Sequence, residues 1–130
     1  MDMRVKDPVV DYINANQLAS AMNKTKWRKL AAAMTSNPDF EPQVREKHLL
    51  DKVEPAGFTF LDWEWVKYGE TKYIDWMELS PIRKDYVGQL IDDKQTDFTE
   101  WLRAALIGQS IPFEEIDGIF KVRGYIWPNA

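Results

Sequence analysis

The chain has 130 residues, no Cys and a formal net charge of −4 at pH 7, a length typical of one domain with its own hydrophobic core. The missing Cys excludes disulfides, thiolate metal sites and a Cys nucleophile. Residues 1–53 contain nine Lys/Arg and seven Asp/Glu, a net +2, whereas residues 54–130 contain eight and fourteen, a net −6. Because nucleic-acid-binding surfaces are basic, this acidic part disfavours a nucleic-acid binder and is compatible with a basic protein partner.

The apolar residues also bear on where the protein acts. No apolar run approaches the roughly 18 residues that span a membrane, and the first residues lack the apolar segment of a signal peptide. We therefore expect a cytoplasmic protein of bacterial type that does not enter a membrane. Six Trp is a high number for this length, and because Trp is used in cores and interfaces alike, a homodimer stays open.

The first residues are interpreted as an N-terminal extension or helix. Asp7 followed by Pro8 is a favourable helix start, but the apolar spacing behind it is poor, and Met22 could be a second chain start. The chain is therefore divided into residues 1–22, whose native status stays open, and residues 23–130, a single α+β domain.

Two helices are predicted before the middle of the chain. Thr25 is expected to cap a helix over residues 25–35, whose apolar side chains recur at helical spacing. Pro42 is expected to begin a second helix that runs to about residue 52. This helix would carry His48, the single His, which has no acidic or Cys neighbour pattern and is a weak candidate for a ligand or catalyst.

The stretch over residues 58–79 is predicted to be a β-hairpin. Its runs 60–66 and 72–79 alternate apolar and acidic residues on either side of a turn at Gly69. Counting outward from the turn gives two faces. One is a slab of Trp side chains suited to burial, from Trp63, Trp65 and Trp76. The other is a row of carboxylates, from Asp62, Glu64 and Asp75.

Three further elements are predicted after the hairpin: a short strand around residues 87–91, a helix over residues 97–107 and a last strand over residues 118–126. The helix has the clearest signals, because Asp97 and Glu100 form an Asp version of the capping box ahead of a full apolar stripe. Asp92 and Asp93 form an acidic pair on the loop before it.

These elements predict an α+β fold. We expect an antiparallel sheet of three to four strands with two or three helices packed on one face. The helices over residues 25–35 and 97–107 would cover the aromatic side of the sheet.

The carboxylate row has three interpretations. Converging carboxylates could hold Mg²⁺ in a small nuclease or hydrolase. Alternatively, Lys121 and Arg123 on the last strand could neutralise the row. In the third interpretation the row is exposed and contacts a basic partner.

Several segments of the second half carry a family resemblance. The segments DWEW, YIDWMELSP and TDFTEWLRAALIGQSIPFEEIDGIFKVRGY resemble a family of small bacterial proteins of unknown function, over about residues 23–127. In type, such small, acidic, Trp-rich α+β proteins resemble immunity proteins, which neutralise secreted bacterial toxins. The resemblance implies binding of a protein and supplies no catalytic residue.

The leading hypothesis is therefore a non-enzymatic binding protein of immunity type, with no cofactor, no metal site and no catalytic residue. It would engage a basic protein partner through its acidic surface. The candidate binding residues are Asp62, Glu64, Asp75, Asp92 and Asp93. The alternative is the small Mg-dependent nuclease or hydrolase that would use the carboxylate row.

Overall fold

The computed structural model describes residues 7–128, which form helices and antiparallel strands. The α-helices of this part of the chain are α1 (Pro8–Ala15), α2 (Lys24–Met34), α3 (Trp63–Tyr68) and α4 (Thr99–Gly108), and a short 3-10 helix covers Thr71–Tyr73. Its strands are β1 (Ala19–Ser20), β2 (Gln43–His48), β3 (Ile74–Ser80), β4 (Ile82–Asp85), β5 (Lys94–Asp97), β6 (Glu114–Ile116), β7 (Ile119–Arg123) and β8 (Tyr125–Ile126).

The central sheet has four strands in the order β2-β3-β7-β6, and every pairing within it is antiparallel. Two smaller strand pairs, β1–β8 and β4–β5, lie beside it. The predicted α+β class with a four-stranded antiparallel sheet is confirmed.

One face of this sheet forms the main core with the helices. Leu79 of β3 lies between Val44 of β2 and Phe120 of β7, and all three are buried. The buried apolar residues of α2 and α4 join the same cluster: Trp27, Leu30, Ala31, Ala33 and Met34 from α2, and Leu102 and Leu106 from α4. The apolar stripes of these two helices were therefore predicted correctly, because each is set by the local helical period.

The caps of these two helices differ from the predicted ones. Helix α2 is capped by Asn23, whose side-chain oxygen accepts from the backbone N–H of Lys26, so Thr25 lies inside the helix. The N-cap position of α4 is Phe98, whose side chain makes no capping hydrogen bond; Asp97, the last residue of β5, stands one position earlier than predicted and accepts from the backbone N–H of Thr99. Asn and Asp both suit these positions because a short side chain can reach the free N–H groups of the first turn.

The predicted hairpin over residues 58–79 is wrong. Helix α3 covers the end of its first run and the start of the predicted turn, and β3, which covers most of its second run, pairs with β2 and β7 instead. Trp63 and Val66 stand three positions apart on this helix, so they share one face, and both are buried. Asp62 caps the helix by accepting from the backbone N–H of Glu64 at 3.1 Å. Over so few residues, the apolar pattern of this segment is compatible with a helical turn as well as with a strand, so the sequence alone could not distinguish the two.

The predicted helix over residues 42–52 and the predicted strand around residues 87–91 are also wrong. The first region forms the edge strand β2, which pairs with β3 and bridges Thr59 through Val44. Its charged residues favour a helix by propensity, but tertiary pairing overrides so weak a preference. The second region is the connection between β4 and β5, and the predicted last strand is divided at Gly124 into β7 and β8.

The described part of the N-terminal region packs on the rest of the molecule. Asp7 caps α1 by accepting from the backbone N–H of Val9, and its carboxylate also lies 2.6 Å from the Lys72 ammonium. A second buried cluster joins this region to the turn after β2 and to β8, through Val9, Leu18, Leu49 and Tyr125. Strand β1 pairs with β8. The segment therefore contacts the domain through a salt bridge, a buried cluster and a strand pair.

Candidate functional site

The predicted carboxylate row is not formed. Asp62 and Glu64 lie at the start of α3 and are exposed, whereas Asp75 lies on β3 and is buried. Glu64 lies 3.6 Å from the Lys67 ammonium on its own helix. Because the predicted hairpin does not form, nothing brings these carboxylates onto one sheet surface.

Asp75 has partners other than the predicted ones. One carboxylate oxygen lies 3.7 Å from the Lys47 ammonium, and the other accepts from the indole N–H of Trp127 at 3.1 Å. The two predicted partners are engaged elsewhere: the Lys121 ammonium lies 4.4 Å from the centre of the Trp76 ring, and the Arg123 guanidinium binds Glu114 at 2.7 Å. A buried, paired carboxylate offers little to an incoming partner.

The sheet face that carries Trp76 is covered by charged side chains of the sheet itself. Arg45 lies 5.3 Å from the Trp76 ring centre and binds Glu78 at 2.8 Å, while Lys121 approaches the same ring. The cations of this face are therefore already engaged within the domain, by cation–π contacts and by an ion pair. This face offers few free charged groups to a ligand and is not a candidate binding site.

Among residues 7–128, no group of three or more His, Asp or Glu side chains is arranged to hold a metal ion. The carboxylates on which the predicted Mg²⁺ site depended are thus dispersed over α3 and β3.

Asp92 and Asp93 lie on the segment that joins β4 to β5, here called the hairpin tip (residues 86–93). Both are exposed, as the loop prediction implied. The tip also exposes a run of large apolar side chains: Tyr86, Val87, Leu90 and Ile91. The exposure of Val87, Leu90 and Ile91 was not predicted, because a strand was expected around residues 87–91. The glycine at position 88, a residue type common in turns and loops, was the available signal.

The base of this hairpin is fixed to the domain. The Arg83 guanidinium donates to the backbone carbonyl of Asp39 at 2.7 Å, and the backbone N–H of Phe98 donates to the carbonyl of Pro81 at 2.8 Å. The ring of Phe98 stacks on buried Phe40 with centroids 4.4 Å apart. The apolar and acidic tip therefore projects from an anchored stem.

A second feature is the cleft between β2 and α3, here called the β2–α3 cleft. It has a volume of about 280 Å³ and is lined by Glu46, His48, Leu61, Asp62 and Trp65. The rings of His48 and Trp65 are stacked, with centroids 5.7 Å apart and planes within 10°. Sequence reasoning did not find this cleft, although Glu46 and His48 stand two positions apart, as residues on one face of a strand do.

The charge of His48 is coupled to this cleft. Its Nε2 lies 3.6 Å from a carboxylate oxygen of Glu46, and this neighbour raises the pKa of His48 above its ordinary value, against the opposing effect of partial burial. The negative charge of Asp51, which accepts from the backbone N–H of His48, acts in the same direction. The cleft thus combines aromatic rings with carboxylates and one titratable imidazole.

The fold and these surfaces define an α+β domain with a covered sheet face, an exposed apolar and acidic hairpin tip, and an aromatic, acidic cleft. The chain belongs to a family of unknown function, DUF6678, whose model matches residues 9–129. The match begins inside α1 and so includes most of the region that was interpreted as an extension. No curated protein and no solved structure matches the chain significantly. None of the helices formed by residues 7–128 combines the length and apolar character that crossing a membrane requires.

Proposed function

We propose that this chain is a non-enzymatic binding protein that engages a basic protein partner through the hairpin tip. The observation that carries the proposal is the exposure of four large apolar side chains beside two carboxylates on one short loop: Tyr86, Val87, Leu90 and Ile91 beside Asp92 and Asp93. Grouped exposed apolar residues rimmed by polar ones are typical of interaction sites.

The apolar part of the tip would supply the binding energy. Leu90 is 100% exposed and Ile91 64% exposed, so all of the apolar area of Leu90 and more than half of that of Ile91 is available for burial by a partner. Full burial of a side chain of this size is worth about 1.5–3 kcal/mol. Binding energy in interfaces is concentrated in a few such central residues, surrounded by a polar rim.

The acidic part of the tip would select the partner. Residues 86–93 contain Asp92 and Asp93 and no Lys or Arg, so the tip carries a net charge of −2, in a chain with a net charge of −4. Complementary charge accelerates encounter with a basic surface and disfavours acidic partners. The sites first predicted at Asp62 and Glu64 are peripheral in this proposal, and the buried Asp75 has no part in it.

An immunity-type role fits this arrangement. In such a role, the protein would act in the bacterial cytoplasm and its partner would be a basic toxin, whose function the bound tip would block. The support is the small size, the acidic charge and the exposed binding loop. The alternative of a Mg-dependent nuclease loses its basis, because the carboxylates that it requires lie apart.

Site-specific photo-cross-linking in the cells that naturally produce the protein tests this proposal. A photoreactive residue at Leu90 is expected to cross-link to one basic protein, identified by mass spectrometry. Ile107 is the matched control position, because it is also exposed and apolar (61% exposed) but lies on α4.

A partner recovered in this way is then produced pure and mixed with the protein. Formation of a defined complex that is lost in the L90S/I91S variant supports the proposal. Equal cross-linking from both positions, or a complex that the tip substitutions leave intact, would contradict it.

A further inference from the structure

The β2–α3 cleft lies away from the hairpin tip. His48 stands at the last position of β2, whereas Gln43 at its first position pairs with Ser80, just before the hairpin stem. Along a strand of this length the two ends are about 17 Å apart. The cleft is thus a second surface feature, independent of the tip.

The aromatic lining of the cleft is held in place by its surroundings. The indole of Trp65 stacks on His48 and also packs against Gly69, where an added Cβ would lie 2.8 Å from the indole ring. A side chain at position 69 would collide with the indole, so this position of the ring depends on a glycine there. Trp is the aromatic side chain that attracts cations most strongly.

The electrostatics of the cleft favour a cation. One carboxylate oxygen of Glu46 is shielded from solvent and accepts no hydrogen bond within residues 7–128, and the other lies 3.6 Å from His48. A carboxylate that has one oxygen shielded from solvent and so few donors is costly, and a nearby positive charge reduces that cost. Asp62 adds an exposed carboxylate at the rim, where it also caps α3.

We infer that the β2–α3 cleft binds the guanidinium or ammonium group of an Arg or Lys side chain, with Glu46 and Asp62 as the anionic groups and Trp65 as the aromatic wall. The volume of about 280 Å³ falls just below the range of drug-sized pockets and suits a single side chain. The inference deepens the proposed function, since it names a group that a basic partner would insert.

Protonation of His48 competes with this cation. The charged groups beside His48 are Glu46 on its own strand and Asp51 in the following turn, and Asp62 lines the same cleft. The Lys47 ammonium lies near the backbone carbonyl of His48 and is engaged by Asp75. A protonated imidazole would neutralise Glu46 and repel a second cation. Affinity should therefore fall as the pH is lowered through the pKa of His48.

An NMR titration of the full chain with N-acetyl-arginine amide tests the inference without any partner protein. We expect saturable shifts of the Trp65 indole and His48 ring signals at millimolar probe concentrations, with the dissociation constant rising at lower pH. The uncharged N-acetyl-glutamine amide should leave these signals in place. Glu46→Gln should abolish the response.

Two substitutions on α3 provide a matched pair. Asp62→Asn removes a charge at the cleft but keeps the helix cap, because Asn caps as well as Asp, and it should weaken binding several-fold. Glu64→Gln removes the same charge from an exposed position that does not line the cleft, and it should change nothing. The dispersion of each spectrum shows directly that the variant is folded.

The inference is overturned if the wild type gives no saturable shift, or if Asp62→Asn and Glu64→Gln weaken binding equally, which would indicate general charge attraction. The two proposals can fail separately. A missing cross-link at position 90 would leave the titration unaffected, and a flat titration with an intact cross-link would remove the cleft alone.

Discussion

Helix α1 offers a matched test of whether the N-terminal region belongs to the folded domain. Val9 and Val10 are adjacent residues of the same type on this helix, but Val9 is 1% exposed and Val10 is 42% exposed. Val9 packs with Leu49 and Tyr125 in the second buried cluster. Replacing each Val with Ala removes the same atoms from a buried and from an exposed site.

The expected loss for Val9→Ala follows from its burial. Two methyl groups are removed, worth about 1.6 kcal/mol at ~0.8 kcal/mol each, and the cavity left behind raises the cost to about 2–3 kcal/mol. The higher helix propensity of Ala returns about 0.5 kcal/mol. The net loss should be about 1.5–2.5 kcal/mol, whereas Val10→Ala should stay within about 0.5 kcal/mol of the wild type.

Urea denaturation followed by Trp fluorescence measures both values. The midpoint should fall for Val9→Ala and stay nearly constant for Val10→Ala, at an unchanged dependence on urea. In thermal unfolding the first variant should melt about 6–10 °C lower, at ~4 °C per kcal/mol for a domain of this size. Equal midpoints for the two variants would refute the packing of α1 and favour the interpretation of residues 1–22 as an extension.

Three further predictions concern the rest of the fold. Gly124→Ala should destabilise the protein strongly, because the added Cβ would overlap the backbone carbonyl of Ile74. Gly108→Ala, which has open space around the added Cβ, should stabilise the protein by about 0.5–1 kcal/mol. Comparable unfolding midpoints of the two variants in urea would contradict this. Trp101→Ala should lower the free energy of unfolding by about 2–3 kcal/mol, because Trp101 is half-buried and packs edge-on to Phe40. This loss is below the usual range of about 3–5 kcal/mol for a buried Trp. No change in melting temperature would show that Trp101 is not packed. The hydrogen bond from Lys72 lowers the pKa of Asp7, so the pair stabilises the fold at pH values above the unfolded pKa of Asp7, and this stability is lost as the pH falls through the folded pKa. The Asp7→Asn variant should therefore melt at a lower temperature than the wild type at about pH 6 and at the same temperature at about pH 2. A difference in melting temperature that persists in acid would contradict the ion pair.

The elements that could be predicted from the sequence were those with a local cause. The stripes of α2 and α4 each run for about three turns, long enough for the helical period to stand out. The first turn of α1 was also recognisable, because Asp7 and Pro8 form a cap and a helix start that need no distant partner.

The elements that could not be predicted depend on contacts far apart in the chain. Helix α3 has six residues, too few for its period to be distinguished from strand alternation. Strand β2 consists largely of charged residues and is a strand because it pairs with β3. The place of α1 depends on Leu49 and Tyr125, which no local pattern connects to Val9.

The candidate sites follow the same division. The positions of Asp92 and Asp93 on a loop were predictable, but the exposure of Leu90 and Ile91 was not, since apolar runs are usually buried. The β2–α3 cleft could not be predicted, because β2 was expected to be a helix and α3 was expected to be a strand. The Asp62, Glu64 and Asp75 row disappeared with the hairpin that was expected to align it.

The salt dependence of the association rate shows whether the hairpin tip recognises a basic partner through Asp92 and Asp93, as we propose. With the purified partner, the wild type should associate rapidly at low ionic strength and more slowly as salt is added. D92N/D93N should associate more slowly at low salt, with a much weaker salt dependence and an unchanged melting temperature. Identical rates and salt dependence for the wild type and D92N/D93N would show that these two carboxylates do not recognise the partner.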